Sequence, residues 1–141
     1  MKTFSKTNTK PLGTILCIDD DDDDATLLEN AVENYHPGIN FLKSYGGNEA
    51  LDLLHRLESL PDLILLDVNM PLMNGFDCLK KLRERSRFEN IPVFMISTSA
   101  SPRDVSRALE NGAQKFLTKP NSFGKISEMV NEIIDEIFVL K

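Results

Sequence analysis

Five short apolar segments at nearly regular intervals constrain the fold of this chain more than any other feature. Their first residues lie 24, 24, 30 and 23 positions apart, at Ile15, Ile39, Leu63, Val93 and Phe116. Four of the five are nearly continuous in apolar character, as expected for strands of a parallel sheet covered on both faces. Each interval has the length of one strand and one helix, which indicates a repeated βα unit.

The intervals carry apolar residues at helical spacing. One helical face of the first interval is formed by Leu27, Leu28, Ala31, Val32 and Tyr35. The fourth interval opens with Ser101 and Pro102, a capping serine followed by a proline suited to the first turn, and Gly112 supplies a stop. The pattern predicts an α/β fold, with a doubly wound five-stranded parallel sheet in flavodoxin-like order 2-1-3-4-5 and helices on both faces.

The length of 141 residues suits one domain. We expect residues 1–11 to be a disordered polar tail and residues 12–141 to form the domain, with no second domain for output. The net charge of −6 argues against nucleic-acid binding, and no apolar stretch has the length of a signal peptide core or a membrane span. Cys17 and Cys78 lie in apolar stretches, as expected for buried free thiols in a reducing compartment. The sequence therefore predicts a cytoplasmic protein.

Polar residues follow the predicted strands at the edge where such sheets bind ligands. Asp19 and Asp20 follow the first strand, and Asp67 ends the third. Ser97 ends the fourth strand, and Lys119 comes directly after the fifth. Three carboxylates, a hydroxyl and an amine are therefore expected to lie together.

Three neighbouring carboxylates repel one another, by about 3 kcal/mol per pair at about 5 Å and an effective dielectric constant of about 20. Such a cluster requires raised pKa values or a bound cation, and ligands that are all oxygen favour Mg²⁺. A metal would also hold the oxygens of an incoming phosphoryl group, so that one aspartate could act as the nucleophile. Lys119 and Ser97 would then bind the transferred group.

Four segments carry a resemblance to a known family. They are ILCIDDDDDD (15–24), DLILLDVNMPLMNGFD (62–77), PVFMIS (92–97) and KFLTKP (115–120). Together they resemble the receiver domains of two-component response regulators, over about residues 13–138. The middle segment is the most specific, because it combines an apolar strand, an aspartate, Met70-Pro71 and Gly75.

The resemblance implies roles for the acidic residues. Asp67 matches the aspartate that accepts the phosphoryl group. Asp19 and Asp20 match the acidic pair that holds Mg²⁺, and Asn69 matches the position whose backbone carbonyl is a further ligand. Asp67 is expected to complete the metal site.

The resemblance also implies a switch. Ser97 matches the hydroxyl that turns towards the phosphoryl group, and Lys119 matches the lysine that bonds it. Phe116 matches the aromatic residue that moves inward when the hydroxyl moves. In this family the bond before the proline is usually cis, so a cis Lys119–Pro120 peptide is predicted.

The partners implied by the resemblance are a histidine kinase or a histidine phosphotransfer protein as phosphodonor. A downstream target is expected on the face formed by the fourth helix, the fifth strand and the fifth helix. The chain would be a signalling switch that assists its own phosphorylation and dephosphorylation, not an enzyme. The segments 18–24 and 96–101 are similar to single-domain regulators paired with bacterial phytochrome-type kinases. The apolar run at 137–140 leaves a homodimer open.

Several alternatives stay open at this point. Asp22, Asp23 and Asp24 are interpreted as a helix start favoured by the helix dipole, and Asp21 as either part of that start or support for the metal shell. A small Mg²⁺-dependent phosphatase of the haloacid-dehalogenase type would use Asp19 as its nucleophile, with Asp21 and Lys119. A third interpretation is a receiver that binds partners without phosphorylation.

Overall fold

The sheet has the predicted composition and order. A computed structural model describes residues 12–138. Its five strands are all parallel, in the order β2-β1-β3-β4-β5. The strands are β1 (Gly13–Ile18), β2 (Ile39–Ser44), β3 (Leu63–Asp67), β4 (Val93–Ser97) and β5 (Lys115–Thr118). The carboxyl ends of β1, β3 and β4 therefore meet at one edge, with β5 at the border of the sheet.

Five helices alternate with the strands and cover both faces, as predicted. They are α1 (Asp22–Tyr35), α2 (Gly47–Arg56), α3 (Gly75–Arg83), α4 (Pro102–Glu110) and α5 (Phe123–Phe138). One core cluster joins the sheet to α2, α3 and α4, and a second joins it to α1 and α5.

The two cores explain why the strands are apolar at nearly every position. Successive side chains of a strand point to opposite faces. In β1, Leu16 and Ile18 pack in the core with α2, α3 and α4, whereas Ile15 and Cys17 pack in the core with α1 and α5. Each such side chain contributes about 1.5–3 kcal/mol when it is fully buried. The buried stretch of β1, Ile15–Ile18, and the stretches of β3 and β4 before their last residues are therefore apolar on both faces.

The start and stop signals of α4 lie where the sequence places them. Ser101 is the N-cap residue, and its side chain accepts a hydrogen bond from the backbone N–H of Asp104 at 3.1 Å. Pro102 occupies the first turn, and Gly112, just past the helix, has a φ of 104°. Ala108 is the only buried residue of this helix, so α4 packs on the sheet through few apolar side chains.

Two residues predicted to face the core from α1 are exposed instead. Leu27 and Tyr35 lie at the margin of the apolar face, and Tyr35 donates a hydrogen bond to the carboxylate of Asp135 at 2.8 Å. Phe138 of the predicted apolar run is buried in the core. The rest of that run beyond 138, and the predicted tail at 1–11, lie outside the described residues. Within residues 12–138, no helix is long and apolar enough to span a lipid bilayer.

Candidate functional site

Three carboxylates meet at the edge formed by the ends of β1 and β3. One oxygen from each of Asp19, Asp20 and Asp67 lies within 4.8 Å of the others. Asp19 and Asp67 are buried, with 3 % and 8 % of their surface exposed, and Asp20 is exposed. The cluster forms because β1 pairs directly with β3, so that their last residues lie side by side.

The ammonium of Lys119 reaches into this cluster from the end of β5. Its Nζ lies 3.4 Å from Asp19 Oδ2 and 3.4 Å from Asp67 Oδ1. Its shortest ion pair, at 2.8 Å, is with Asp24 Oδ2 in the first turn of α1. The backbone N–H of Lys119 donates to the carbonyl of Ser97 at 2.6 Å, which fixes the residue beside β4. The three N–H donors of the ammonium thus face three carboxylates.

Burial and mutual repulsion perturb the acidic groups. Burial, and after it the charge of Asp19, raises the pKa of Asp67 to about 6, because these effects outweigh the opposing pull of Lys119. Burial likewise raises the pKa of Asp19. Burial alone would lower the pKa of Lys119, but its hydrogen bond to Asp24 and the charges of Asp19 and Asp67 raise it overall. One lysine therefore compensates the buried carboxylates only in part.

The six consecutive aspartates at positions 19–24 make different contacts. Asp21 is the N-cap of α1, and its carboxylate accepts hydrogen bonds from the backbone N–H groups of Asp23 and Asp24. Asp22 and Asp23 are exposed in the first turn, as expected for a helix start. The backbone N–H of Asp21 donates to Asp19 Oδ1 at 2.9 Å, which orients that carboxylate. Asp21 therefore supports the cluster through its backbone, while its side chain caps the helix.

The loop between β3 and α3 packs closely beneath the cluster. The backbone N–H of Gly75 donates to the carbonyl of Val68 at 2.8 Å. A Cβ atom at this position would overlap the carbonyl oxygen of Asp67 and lie 2.9 Å from the Cα of Val68. Asn74 caps α3 by accepting a hydrogen bond from the backbone N–H of Asp77 at 2.9 Å. The glycine therefore permits the approach that holds Asp67 in place.

Most of the chain matches one protein family. The family model of the response regulator receiver domain matches residues 15–131, a span that contains the whole acidic cluster and the lysine. The chain belongs to the response-regulator receiver family. This membership leaves the phosphatase alternative without support.

Relatives of this receiver include complete regulators and parts of larger proteins. The two-component response regulator ORR3 of rice (Oryza sativa subsp. indica) is 33 % identical over 92 % of this chain and 97 % of its own length. The transcriptional regulatory protein CpxR of Escherichia coli (strain K12) is 39 % identical over 77 % of this chain and 44 % of its own length. The chain spans only 15 % of the sensor histidine kinase CheAY of Helicobacter pylori, at 29 % identity.

Solved structures show the same fold. The phosphorylated cyanobacterial phytochrome response regulator RcpA superposes with a TM-score of 0.82, at 25 % identity, over 89 % of this chain and 93 % of its own. A receiver domain from Rhodospirillum rubrum gives a TM-score of 0.80 at 26 % identity, over 91 % of this chain and 95 % of its own. Both match the receiver over nearly its full length.

The acidic cluster of this receiver fits a hard divalent cation. All three side chains offer carboxylate oxygens, which Mg²⁺ prefers, and Asp20 is open to solvent, so that water could complete an octahedral shell. Burial, and with it the charge of neighbouring carboxylates, raises the pKa values of Asp19 and Asp67, and a bound cation would favour their ionised forms. Asn69 is exposed two positions beyond β3, and its predicted carbonyl ligand stays a prediction.

The two predicted switch residues occupy the neighbouring strands. Ser97 ends β4 and is 2 % exposed, and its Oγ accepts a hydrogen bond from the backbone N–H of Ser99 at 3.3 Å. Phe116 in β5 is half-buried against the core formed with α2, α3 and α4. It pairs with Met95, two positions before Ser97. The aromatic ring and the hydroxyl thus belong to paired strands, and their role as a switch stays a prediction.

The peptide bond between Lys119 and Pro120 is trans, so the predicted cis bond is wrong. Within residues 12–138 no peptide bond is cis. The trans form is lower in energy by about 0.5–1 kcal/mol even before proline, and only the family resemblance had indicated the cis form.

The contact of Asp24 with Lys119 was not predicted from the sequence. Asp24 stands among six identical residues, and its neighbours Asp22 and Asp23 are exposed. Its side chain is only 33 % exposed and forms the closest contact of Lys119. The signal that could have identified it is its place three residues after the cap at Asp21, which directs it differently from the other aspartates of that turn.

Proposed function

We propose that this receiver accepts a phosphoryl group on Asp67 from a histidine kinase or a histidine phosphotransfer protein. The observation that carries the proposal is the meeting of Asp19, Asp20 and Asp67 within 4.8 Å, with the Nζ of Lys119 at 3.4 Å from Asp67. Receiver domains bind Mg²⁺ at this acidic pocket. We assign Mg²⁺ here to Asp19, Asp20, Asp67 and the backbone carbonyl of Asn69.

The transfer uses groups that the fold already holds in position. A carboxylate oxygen of Asp67 attacks the phosphorus of a phosphohistidine, so that a P–O bond forms, the P–N bond breaks and the imidazole leaves. Lys119 offsets the negative charge of the product, and the hydroxyl of Ser97 donates a hydrogen bond to it. Bound Mg²⁺ would supply positive charge to the phosphoryl oxygens. The same groups would assist hydrolysis of the acyl phosphate by water.

The signal would leave the site through Ser97 and Phe116. When the Ser97 hydroxyl turns towards the phosphoryl group, the Phe116 ring moves inward, and the face formed by α4, β5 and α5 changes its preference for a target protein. This face suits a change of partner because β5 is a short border strand, Leu109 of α4 is 48 % exposed and Ala108 is the only buried residue of α4.

Other expectations belong to the proposal as well. The likeness to RcpA supports pairing with a phytochrome-type kinase. The buried free thiols of Cys17 and Cys78 support a cytoplasmic location. The net charge of −6 opposes nucleic-acid binding. A homodimer, left open by the apolar run at 137–140, stays a prediction.

Phosphorylation with acetyl phosphate tests the proposal. With Mg²⁺, intact-protein mass spectrometry should show the added mass of one phosphoryl group, and chelation of the metal should abolish it. Asp67→Asn should abolish the addition, whereas Asp52→Asn, an exposed carboxylate on α2, should leave it unchanged.

The other two interpretations give different results in the same experiment. Labelling that survives Asp67→Asn but not Asp19→Asn would place the nucleophile at Asp19 and overturn the proposal in favour of phosphatase chemistry. A protein that takes up no phosphoryl group, and that does not respond to beryllofluoride in NMR spectra, would act as a receiver without phosphorylation.

A further inference from the structure

The closest partner of Lys119 is a carboxylate outside the acidic cluster. Asp24 Oδ2 lies 2.8 Å from the Nζ of Lys119, against 3.4 Å for the oxygens of Asp19 and Asp67. Asp24 comes from α1 and Lys119 from the end of β5, so this contact ties two distant elements together at the rim of the site. Asp24 is not needed for the cap, which Asp21 provides.

We propose that Asp24 is a positioning residue that competes with the phosphoryl group for the ammonium of Lys119 and thereby opposes phosphorylation of the receiver. The inference rests on the proposed function, because it takes Asp67 as the phosphoacceptor and Lys119 as the residue that binds the product. It gives Asp24, a residue with no role in the family resemblance, a regulatory effect on phosphorylation.

The donors of Lys119 are fully used before any phosphoryl group arrives. An ammonium has three N–H donors, and three carboxylates surround this one. A phosphoryl group on Asp67 therefore has to share or displace a partner of Lys119. Displacing the shortest contact requires breaking an ion pair with Asp24 in which the lysine side chain is only 14 % exposed. Such a pair is screened less than one on the open surface.

The charge of Asp24 acts in the same direction. Its carboxylate contacts the same ammonium as Asp67, so an anionic group on Asp67 would be held close to a second negative charge. Like charges at such distances repel. Removing the charge of Asp24 therefore frees the ammonium and reduces repulsion, and both effects favour the phosphorylated form.

Two substitutions at Asp24 separate competition from simple support of the lysine. Asp24→Asn removes the charge but keeps an oxygen that can accept a hydrogen bond, whereas Asp24→Ala removes both. If Asp24 competes, both variants should bind beryllofluoride more tightly than the wild type in saturating Mg²⁺, by roughly fivefold, as for the loss of one partly exposed charge pair. If Asp24 only holds the lysine in place, Asp24→Ala should bind more weakly.

The measurement is a titration of the full chain with beryllofluoride, followed by ¹⁹F NMR or calorimetry. Asp23→Asn is the matched control, because it removes the same charge from the same turn of α1 at an exposed residue for which no contact with Lys119 is seen. Its affinity should stay within twofold of the wild type. Mg²⁺ affinity is measured separately, and it should not tighten in the Asp24 variants.

Each result has one meaning. Unchanged or weaker beryllofluoride binding by Asp24→Asn would overturn the inference while leaving the proposed function intact. If Asp24→Asn binds beryllofluoride more tightly but gains equally in Mg²⁺ affinity, the inference is also overturned. The same holds if Asp23→Asn binds beryllofluoride as tightly as Asp24→Asn. A wild-type protein that does not bind beryllofluoride would overturn the proposed function and the inference together. If Asp24→Ala fails to fold, Asp24→Asn alone decides the question.

Discussion

Replacement of Asp67 by asparagine should stabilise the metal-free protein. Burial, together with the charge of Asp19, raises the pKa of Asp67 from 3.8 to about 6 in the folded state. The folded protein therefore disfavours the ionised carboxylate that the site needs for its chemistry. Asparagine has nearly the same shape and carries no charge, so it removes this penalty.

The magnitude follows from the pKa difference. One pKa unit corresponds to about 1.36 kcal/mol, so ionised Asp67 costs about 3 kcal/mol of folding free energy at neutral pH. The sign is fixed by proton binding. Between pH 3.8 and about pH 6 the folded state holds a proton that the unfolded state has already released, so this contribution to stability falls as the pH rises. Above that range the penalty is constant.

Urea denaturation in the presence of a chelator, followed by circular dichroism, measures the effect. The free energy of unfolding of Asp67→Asn should exceed that of the wild type by about 3 kcal/mol at pH 7.5. This difference should shrink as the pH is lowered through 6 towards 4. Asp52→Asn on α2 is the control and should show no such trend. A variant less stable than the wild type at pH 7.5, or an advantage that does not depend on pH, would refute this account of the site.

Four further results are expected. Mg²⁺ at about a hundred times its dissociation constant should raise the unfolding free energy of the wild type by about 2.7 kcal/mol in urea titrations, and no change would argue against the metal site. Gly75→Ala should cost about 2 kcal/mol, because its Cβ would overlap the backbone beneath the acidic cluster, and it should also weaken Mg²⁺ binding in calorimetry. Arg83→Met should cost about 2 kcal/mol by denaturation, because its guanidinium donates to three backbone carbonyls, whereas Arg103→Met at an exposed position should cost little; equal losses would contradict this. Ser101→Ala should cost about 1 kcal/mol and speed amide exchange within α4, and unchanged exchange would show that the cap is dispensable.

The fold was predictable because packing against two cores makes the strand sequences apolar at nearly every position. Strands covered on two faces are apolar along the covered stretch, and the first polar residue after each run, such as Asp19, marks the carboxyl end of the strand. The edge exposure of Leu27 and Tyr35 was not predictable, since helical spacing fixes the centre of an apolar face better than its width.

The site was predictable to the level of which strand ends meet, but not which side chains pair. Asp19 and Asp67 meet because β1 and β3 are neighbouring parallel strands, an arrangement that follows from the predicted strand order. The partner of Lys119 depends instead on where α1 begins, and a run of identical aspartates hides that start. The cap at Asp21 sets it, and only then does Asp24 become the residue that meets the lysine.

Lys119 and Asp19 are 100 positions apart in the chain, so the charge balance of the site depends on the docking of β5 against the sheet. The ammonium arrives only when the short border strand β5 has joined the sheet, because the lysine follows that strand directly. Without that strand in place, the buried carboxylates of Asp19 and Asp67 would lack the ammonium that offsets their charge. Detachment of this one strand would therefore withdraw the ammonium from the site.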